Sequence, residues 1–390
     1  MNKEVFCWGM YDLANTIFSA LFVTFFFPLY IKQYLGGNEL QLGLVFGLSM
    51  LAVGIIVPFI GAWSDHLGRR MPFIIFFTIT CCFFTGIVAL ASLKLALLFG
   101  FLANFSYHAA LTTYNALLPT IAQKQNLGKV SGIGVALGYL GTIIALLIAG
   151  VILTYFGWET QMGTQSIFAA TALLFLLFSL VTFFGIHEKK SAMRGMHLIH
   201  SLHEVKKTIT RFSHHKKIAS FLLAMFFLTN AIFAVIIFLF PFAREQVHIT
   251  VKMFFVLYTL QALAAAIGSL LAGKLVDSYG AKKVLQLAAG TWLAVIILLL
   301  FFPTLPVFFI TGLFGGAALG AIWTAQRPQL LLMVHRAHVG QFFGFLELSG
   351  KFSGILAMAF GALAHFLNYQ AALVLLVVSF LVGLYFLEKV

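Results

Sequence analysis

The chain has 390 residues, of which 62% are hydrophobic and 9% charged, and its mean hydropathy is +1.03. A soluble globular chain carries about a quarter charged residues, so this composition excludes that class and places the chain in a bilayer. The formal net charge of +13 does not point to nucleic acid, because the basic residues lie in short gaps between apolar runs of about 20 residues, the arrangement that orients membrane proteins.

A membrane helix needs roughly 20 apolar residues to cross roughly 30 Å. Twelve such runs are predicted, at about 10–33, 40–62, 72–93, 95–118, 132–156, 165–186, 218–242, 252–274, 284–302, 305–326, 342–366 and 370–388. The first lacks a small-residue cleavage site and is expected to be a retained helix rather than a signal peptide. Cys7, Cys81 and Cys82 offer neither a disulfide framework nor zinc spacing. Threading the runs alternately from a cytoplasmic N-terminus puts nineteen Lys and Arg on the cytoplasmic side and four on the other. That bias predicts that both termini are cytoplasmic, and the chain is expected to be an integral protein of the plasma (inner) membrane.

The gap from His187 to Lys217 divides the chain into an N-terminal six-helix bundle, 1–186, a cytoplasmic linker, 187–217, and a C-terminal six-helix bundle, 218–390. Leu198, Leu202, Val205, Ile209 and Phe212 share one helical face among many basic residues, which predicts an amphipathic helix on the inner leaflet. His197, His200 and His203 are read as part of its solvated basic face rather than as a metal site.

A polar motif, GAWSDHLGRR, joins the second and third runs, with Gly61, Asp65 and Gly68 followed by Arg69 and Arg70. The same spacing returns as Gly273, Asp277 and Gly280, with Lys282 and Lys283 behind, each anchor displaced by 212 positions. Gly128, Gly132 and Gly138 return at the same displacement as Gly340, Gly344 and Gly350. Two six-helix halves repeated in one orientation are a transporter signature, with substrate bound between them near mid-membrane. Glycine at such places lets helices pack backbone to backbone.

GAWSDHLGRR resembles the signature loop between helices two and three of the major facilitator superfamily. WGMYDLANTIFSALFVTFFFPLY from Trp8, YNALLPTIA from Tyr114, GKVSGIGVALGYLG from Gly128 and GQFFGFLELSGKFSG from Gly340 are similar to its vacuole-effluxer branch, the fungal vacuolar amino-acid effluxer and bacterial relatives. The chain departs from that pattern at Trp323, Ala325 and Gln326 ahead of Arg327, and at Glu347. The resemblance implies an all-α membrane protein of 12 transmembrane helices in two pseudo-symmetric six-helix bundles. For Asp65 it implies gating, a carboxylate bracing helices in one state of the cycle; the competing reading is a loop carboxylate that only caps the third helix.

Of eleven acidic residues, only Asp12 and Glu347 fall well inside predicted spans. Asp12, with Asn15 three positions on, is either an intramembrane polar patch or a helix-start residue favoured by the dipole. Glu347 and Lys351 are four apart in the favoured order for a helical ion pair, which either neutralises both or acts as a titratable switch. Asn104, His108 and Asn115 share one face of the fourth helix, lining a cavity or bonding between helices. Arg327 precedes Pro328, so its helix is expected to end or bend there, leaving Arg327 as a snorkelling anchor or an inner-gate cation.

GSLLAGKL from Gly268 fits only the start of a phosphate-binding loop; Leu275 stands where Ser or Thr is required and no strand precedes it. No ATP-driven pump, enzyme, cofactor or metal is expected. The leading expectation is a monomeric secondary transporter of a small polar solute, with amino acids as a candidate class and protons as a candidate coupling ion. A drug or siderophore-like exporter of the same fold, and a non-transporting receptor or scaffold, are the alternatives. The bilayer and a small-molecule substrate are the partners implied; nucleic acid is not.

Overall fold

The computed structural model describes residues 2–37, 39–158, 160–188, 216–249, 251–351 and 353–390. The regular elements among them are helices, as expected where hydrocarbon leaves backbone N–H and C=O groups no partner but one another. In chain order they are α1 (Lys3–Tyr34), α2 (Glu39–Leu67), α3 (Met71–Ile87), α4 (Leu93–Asn115), α5 (Leu127–Phe156), α6 (Gln161–Gly185) and α7 (Lys216–Gln246). Then follow α8 (Val251–Tyr279), α9 (Ala281–Phe301), α10 (Leu305–Met333), α11 (Val339–Lys351), α12 (Ser353–Phe366) and α13 (Tyr369–Glu388). Among the described residues, eleven helices are long and apolar enough to cross a membrane. The predicted run 342–366 falls on α11 and α12, which flank Phe352; Phe352 lies outside the described residues, as do the predicted linker helix and His197, His200 and His203.

Two compact units form. Unit 1 takes Met1–Ala122, Leu137–Val205 and Ala337–Gly344; unit 2 takes Gln123–Ala136, Lys206–Arg336 and Phe345–Val390. The first turns of α11 therefore belong to unit 1, and those of α5 to unit 2.

In unit 1, α1 packs against α6, with Met10, Leu13, Ile17 and Leu21 buried against Ala145, Ala149 and Ile167. A second cluster, Val53, Val57, Ile60, Phe73 and Ala109, joins α2, α3 and α4. α1 widens into π-helical turns at Ser19–Phe26 and Tyr30–Tyr34, and Phe22 stacks between Phe18 and Phe27 with ring centroids 5.0 and 4.8 Å away. Because α1 begins at Lys3, Asp12 lies well inside it; the helix-start reading of Asp12 is thereby corrected. Large apolar side chains such as Leu51, Ile55, Phe76 and Phe83 remain more than half exposed on the outside of the unit, the pattern of a surface solvated by lipid.

In unit 2, α8 packs along α10 and α9 against both α10 and α13, with Trp292 stacked on Phe380 at 6.1 Å. α10 does not end at Arg327 but continues through Pro328 to Met333. Pro328 has no N–H to give the carbonyl of Thr324, four residues earlier. That carbonyl instead accepts a 2.7 Å hydrogen bond from Ser131 Oγ, on α5. A hydroxyl from another helix thus fills the vacancy that should have stopped this one.

Ser131→Ala leaves the buried Thr324 carbonyl without a donor and is expected to destabilise the protein by about 1–3 kcal/mol. Thermal unfolding in detergent reads this directly. Adding Pro328→Ala, which returns an N–H to the helix, should recover part of the loss.

Candidate functional site

Unit 1 holds the first copy of the loop motif. Gly68, just past α2, turns the chain at φ 59°, a left-handed conformation open to glycine. Arg70 then stands as the N-cap of α3. Its guanidinium reaches back, and Nη2 donates to Asp65 Oδ1 at 2.9 Å in an ion pair whose side chains are 13% and 2% exposed. The other carboxylate oxygen, Oδ2, accepts from the backbone N–H of Gln341 at 3.2 Å, and Gly340 N–H donates to the same carboxylate. These two residues lie in the first turn of α11. Asp65 thus occupies the positive end of a helix whose Gln341 lies 276 positions away in sequence, where unpaired N–H groups and the dipole both favour an anion.

This approach depends on glycine on both sides. A Cβ on Gly61 would run into Gly340 O, and one on Gly340 would lie 2.6 Å from Gly61 O. On the two residues bonded to the carboxylate, Arg70 Nε and both side-chain polar atoms of Gln341 are buried without a hydrogen-bond partner among the described residues. Arg69, by contrast, is exposed.

Unit 2 repeats the device. Asp277 Oδ1 and Oδ2 accept from the backbone N–H groups of Gly128 and Lys129, each at 2.8 Å, at the start of α5. Gly280 takes φ 89°, and a Cβ on Gly273 would lie 2.7 Å from Gly128 O. The two sets of repeated glycines are therefore partners: the glycine of each loop motif meets the glycine at the helix start of the other set. Ala281, at the offset of Arg69, replaces a residue that is exposed in the first copy. Lys282, at the offset of Arg70, donates from Nζ to the Glu388 carbonyl at 2.7 Å.

Asp65 does not cap α3, which corrects that alternative. Glu188 does: Oε1 and Oε2 accept from Arg70 N–H at 3.0 and 2.8 Å, and Oε2 also accepts from Met71 N–H at 2.8 Å. Nothing local in the sequence singles out Glu188, one acid at the edge of a basic stretch and 118 positions from its partner.

Most of the intramembrane candidates are buried within the unit that holds them. On α1, Asn15 Nδ2 donates to Asp12 Oδ1 at 3.4 Å and Thr16 Oγ1 to the Asp12 carbonyl at 2.7 Å. On α4, Asn104 Nδ2 donates to Ser49 Oγ of α2 at 2.7 Å, the interhelical bond that was one of its two readings. Asn104 Oδ1 and Asn115 Oδ1 are buried without a partner, and the ring of His108 meets that of Tyr107 edge-on at 4.7 Å. Sequence reasoning passed over two buried links beside them. Tyr11 and Thr78 share a 2.6 Å hydroxyl bond, and Trp8 and Tyr114 are stacked at 4.8 Å, with Tyr114 OH donating to the Trp8 carbonyl at 3.0 Å. In unit 2, Arg327 is buried on α10 and Glu347 is half-buried on α11. Lys351 ends α11, but its side chain lies outside what is described, so the proposed Glu347–Lys351 pair does too. Among the described residues, no group of three or more His, Cys, Asp or Glu could hold a metal ion.

The family model for the Major Facilitator Superfamily matches residues 13–257 and 221–390. The chain belongs to the Major Facilitator Superfamily. Its members are membrane transporters, not enzymes. Among the relatives is the MFS-type transporter YxiO of Bacillus subtilis (strain 168), 24% identical over all of this chain and 95% of its own length. A homolog of the multi-drug resistance efflux pump PmrA in Lactococcus lactis (strain IL1403) is 23% identical over 90% of this chain and 85% of its own. The crystal structure of the Escherichia coli fucose:proton symporter FucP superposes with a TM-score of 0.77 over 99% of this chain and 98% of that one. At 15% identity it is a likeness of fold alone. The vacuole-effluxer branch is not singled out among these relatives.

Arg70→Ala strands the buried Asp65 carboxylate without its counter-charge and is expected to cost about 3–5 kcal/mol of stability. Asp65→Asn in the Arg70→Ala background should restore part of it, because no uncompensated charge then remains. Urea or thermal unfolding of the single and double variants measures both effects.

Proposed function

We propose that the chain is a proton-coupled secondary transporter that moves a small polar solute, of the amino-acid class implied by the vacuole-effluxer resemblance, by alternating access. The observation that carries the reading is the seating of Asp65 on the first turn of α11. One carboxylate holds a membrane helix by two backbone N–H groups and one arginine, and the buried atoms around it are left partly unsatisfied. Such a contact is strong enough to define one state and incomplete enough to be exchanged for another. Gly61, Asp65, Gly68, Arg69, Arg70 and Asp277 make up the gating motif in this reading.

The solute and proton path draws on Asp12, Asn15, Asn104, His108, Asn115, Arg327, Glu347 and Lys351. Asp12 and Glu347 are its titratable carboxylates, since intramembrane acids are retained where they meet a partner or a watery cavity. The chain works as a monomer in the plasma membrane with both termini cytoplasmic, as the Lys and Arg distribution supports. A second reading, export of bulky amphipathic compounds, is favoured by the resemblance to the PmrA homolog. A thermal-stability screen of purified protein separates the two, since a ligand stabilises in proportion to its affinity and concentration.

In proteoliposomes with an imposed pH gradient, the wild type is expected to accumulate an amino acid identified by that screen. The Asp12→Asn, Glu347→Gln double variant should lose gradient-driven accumulation. Full retention by the double variant would remove both residues from the proton path.

A further inference from the structure

The N-terminus of α3 is fully accounted for, and the account runs through one remote residue. Phe73 and Ile74 N–H both donate to the Arg70 carbonyl at 3.1 Å, and Pro72 has no N–H to satisfy. The two donors left over, Arg70 and Met71 N–H, are both taken by the carboxylate of Glu188 in three bonds of 2.8–3.0 Å. Charge-assisted bonds of this length to a helix start are among the stronger ones a protein makes. Arg70 is therefore gripped at both ends: its backbone by Glu188 and its guanidinium by Asp65.

We propose that Glu188 is a positioning residue for the Asp65 contact: by fixing the backbone of Arg70 it holds the guanidinium on Asp65 and so sets how firmly Asp65 grips the first turn of α11. Without Glu188 the α3 start has two unpaired N–H groups and Arg70 is no longer anchored. Asp65 then loses the counter-charge that keeps its buried carboxylate a strong acceptor, and Gly340 and Gln341 are held less tightly. The device belongs to the first copy of the motif alone. In the second copy Asp277 has no arginine, and the acid at the end of the last helix, Glu388, receives the side chains of Lys282 and Gln286, at 2.7 and 3.2 Å, through its carbonyl and its carboxylate. Glu188 also opens the connector between the sequence halves, so the chain's own covalent path leads from the connector into this contact.

The inference rests on the gating reading of Asp65, and the test separates the two. Val339, the first residue of α11, is 2% exposed, and Cys7, Cys81 and Cys82 are all buried. The rate at which N-ethylmaleimide labels Val339→Cys in full-length protein in liposomes therefore reports release of the α11 start, with the chain lacking that substitution as baseline. Asp65→Asn should raise the rate by about tenfold, on the scale of one charge-assisted hydrogen bond. Glu188→Ala should raise it comparably, and the isosteric Glu188→Gln, which keeps one acceptor oxygen, by less. Adding Glu188→Ala to Asp65→Asn should add nothing further, because both act through one contact. If the two substitutions multiply, or Glu188→Ala and Glu188→Gln leave the rate of the Val339→Cys chain unchanged while Asp65→Asn raises it, Glu188 does not act through Asp65 and the inference falls alone. If Asp65→Asn itself has no effect, the gating reading falls with it.

Discussion

The first N–H groups of a membrane helix are the constraint from which the functional geometry of this protein follows. A helix cannot satisfy them internally, so each needs an acceptor from outside its own turn. Three helix starts are completed by carboxylates remote in sequence: α11 by Asp65, α5 by Asp277 and α3 by Glu188. Each carboxylate meets both the missing hydrogen bonds and the positive end of the dipole, so one side chain both closes the helix and fixes where it stands. In a chain with eleven acidic residues against 24 basic ones, three acids spent on backbone N–H groups show where negative charge is structurally needed.

The close approach of backbones is the second half of the same arrangement. A carboxylate of ordinary length reaches two backbone N–H groups on another helix only when the two helices nearly touch. Glycine at 61 and 340, and again at 128 and 273, provides that proximity. The glycines and the aspartates of the repeated motif are thus one device, and neither has a purpose without the other.

This explains what could and could not be read from sequence. The repeat at a fixed displacement was legible because both halves of the device are sterically exacting. Displacement reveals equivalence, however, and not contact: Gly61 is equivalent to Gly273 but touches Gly340. The polar stripe of Asn104, His108 and Asn115 was legible from helical spacing, whereas Ser49, which receives Asn104, lies 55 positions away on another helix. Pro328 carried a correct local rule to a wrong boundary, because the donor that rescues the Thr324 carbonyl comes from Ser131 and no local pattern contains it. Glu188 was invisible for the same reason. Local rules report which groups are left needing a partner; tertiary structure alone names the partner.

The two copies of the device differ in how their charge is balanced, and in the proposed cycle that difference has consequences. Asp65 is 5% exposed and is neutralised by Arg70, so its release must separate a buried ion pair or carry the arginine with it, and either route is steep in energy. Asp277 is exposed and, among the described residues, is held by two backbone N–H groups. Water can replace those donors one at a time, and salt screens the helix dipole that favours the carboxylate there. On the proposed gating reading, the solvated Asp277 contact is the easier of the two to release and the buried Asp65–Arg70 contact the costlier.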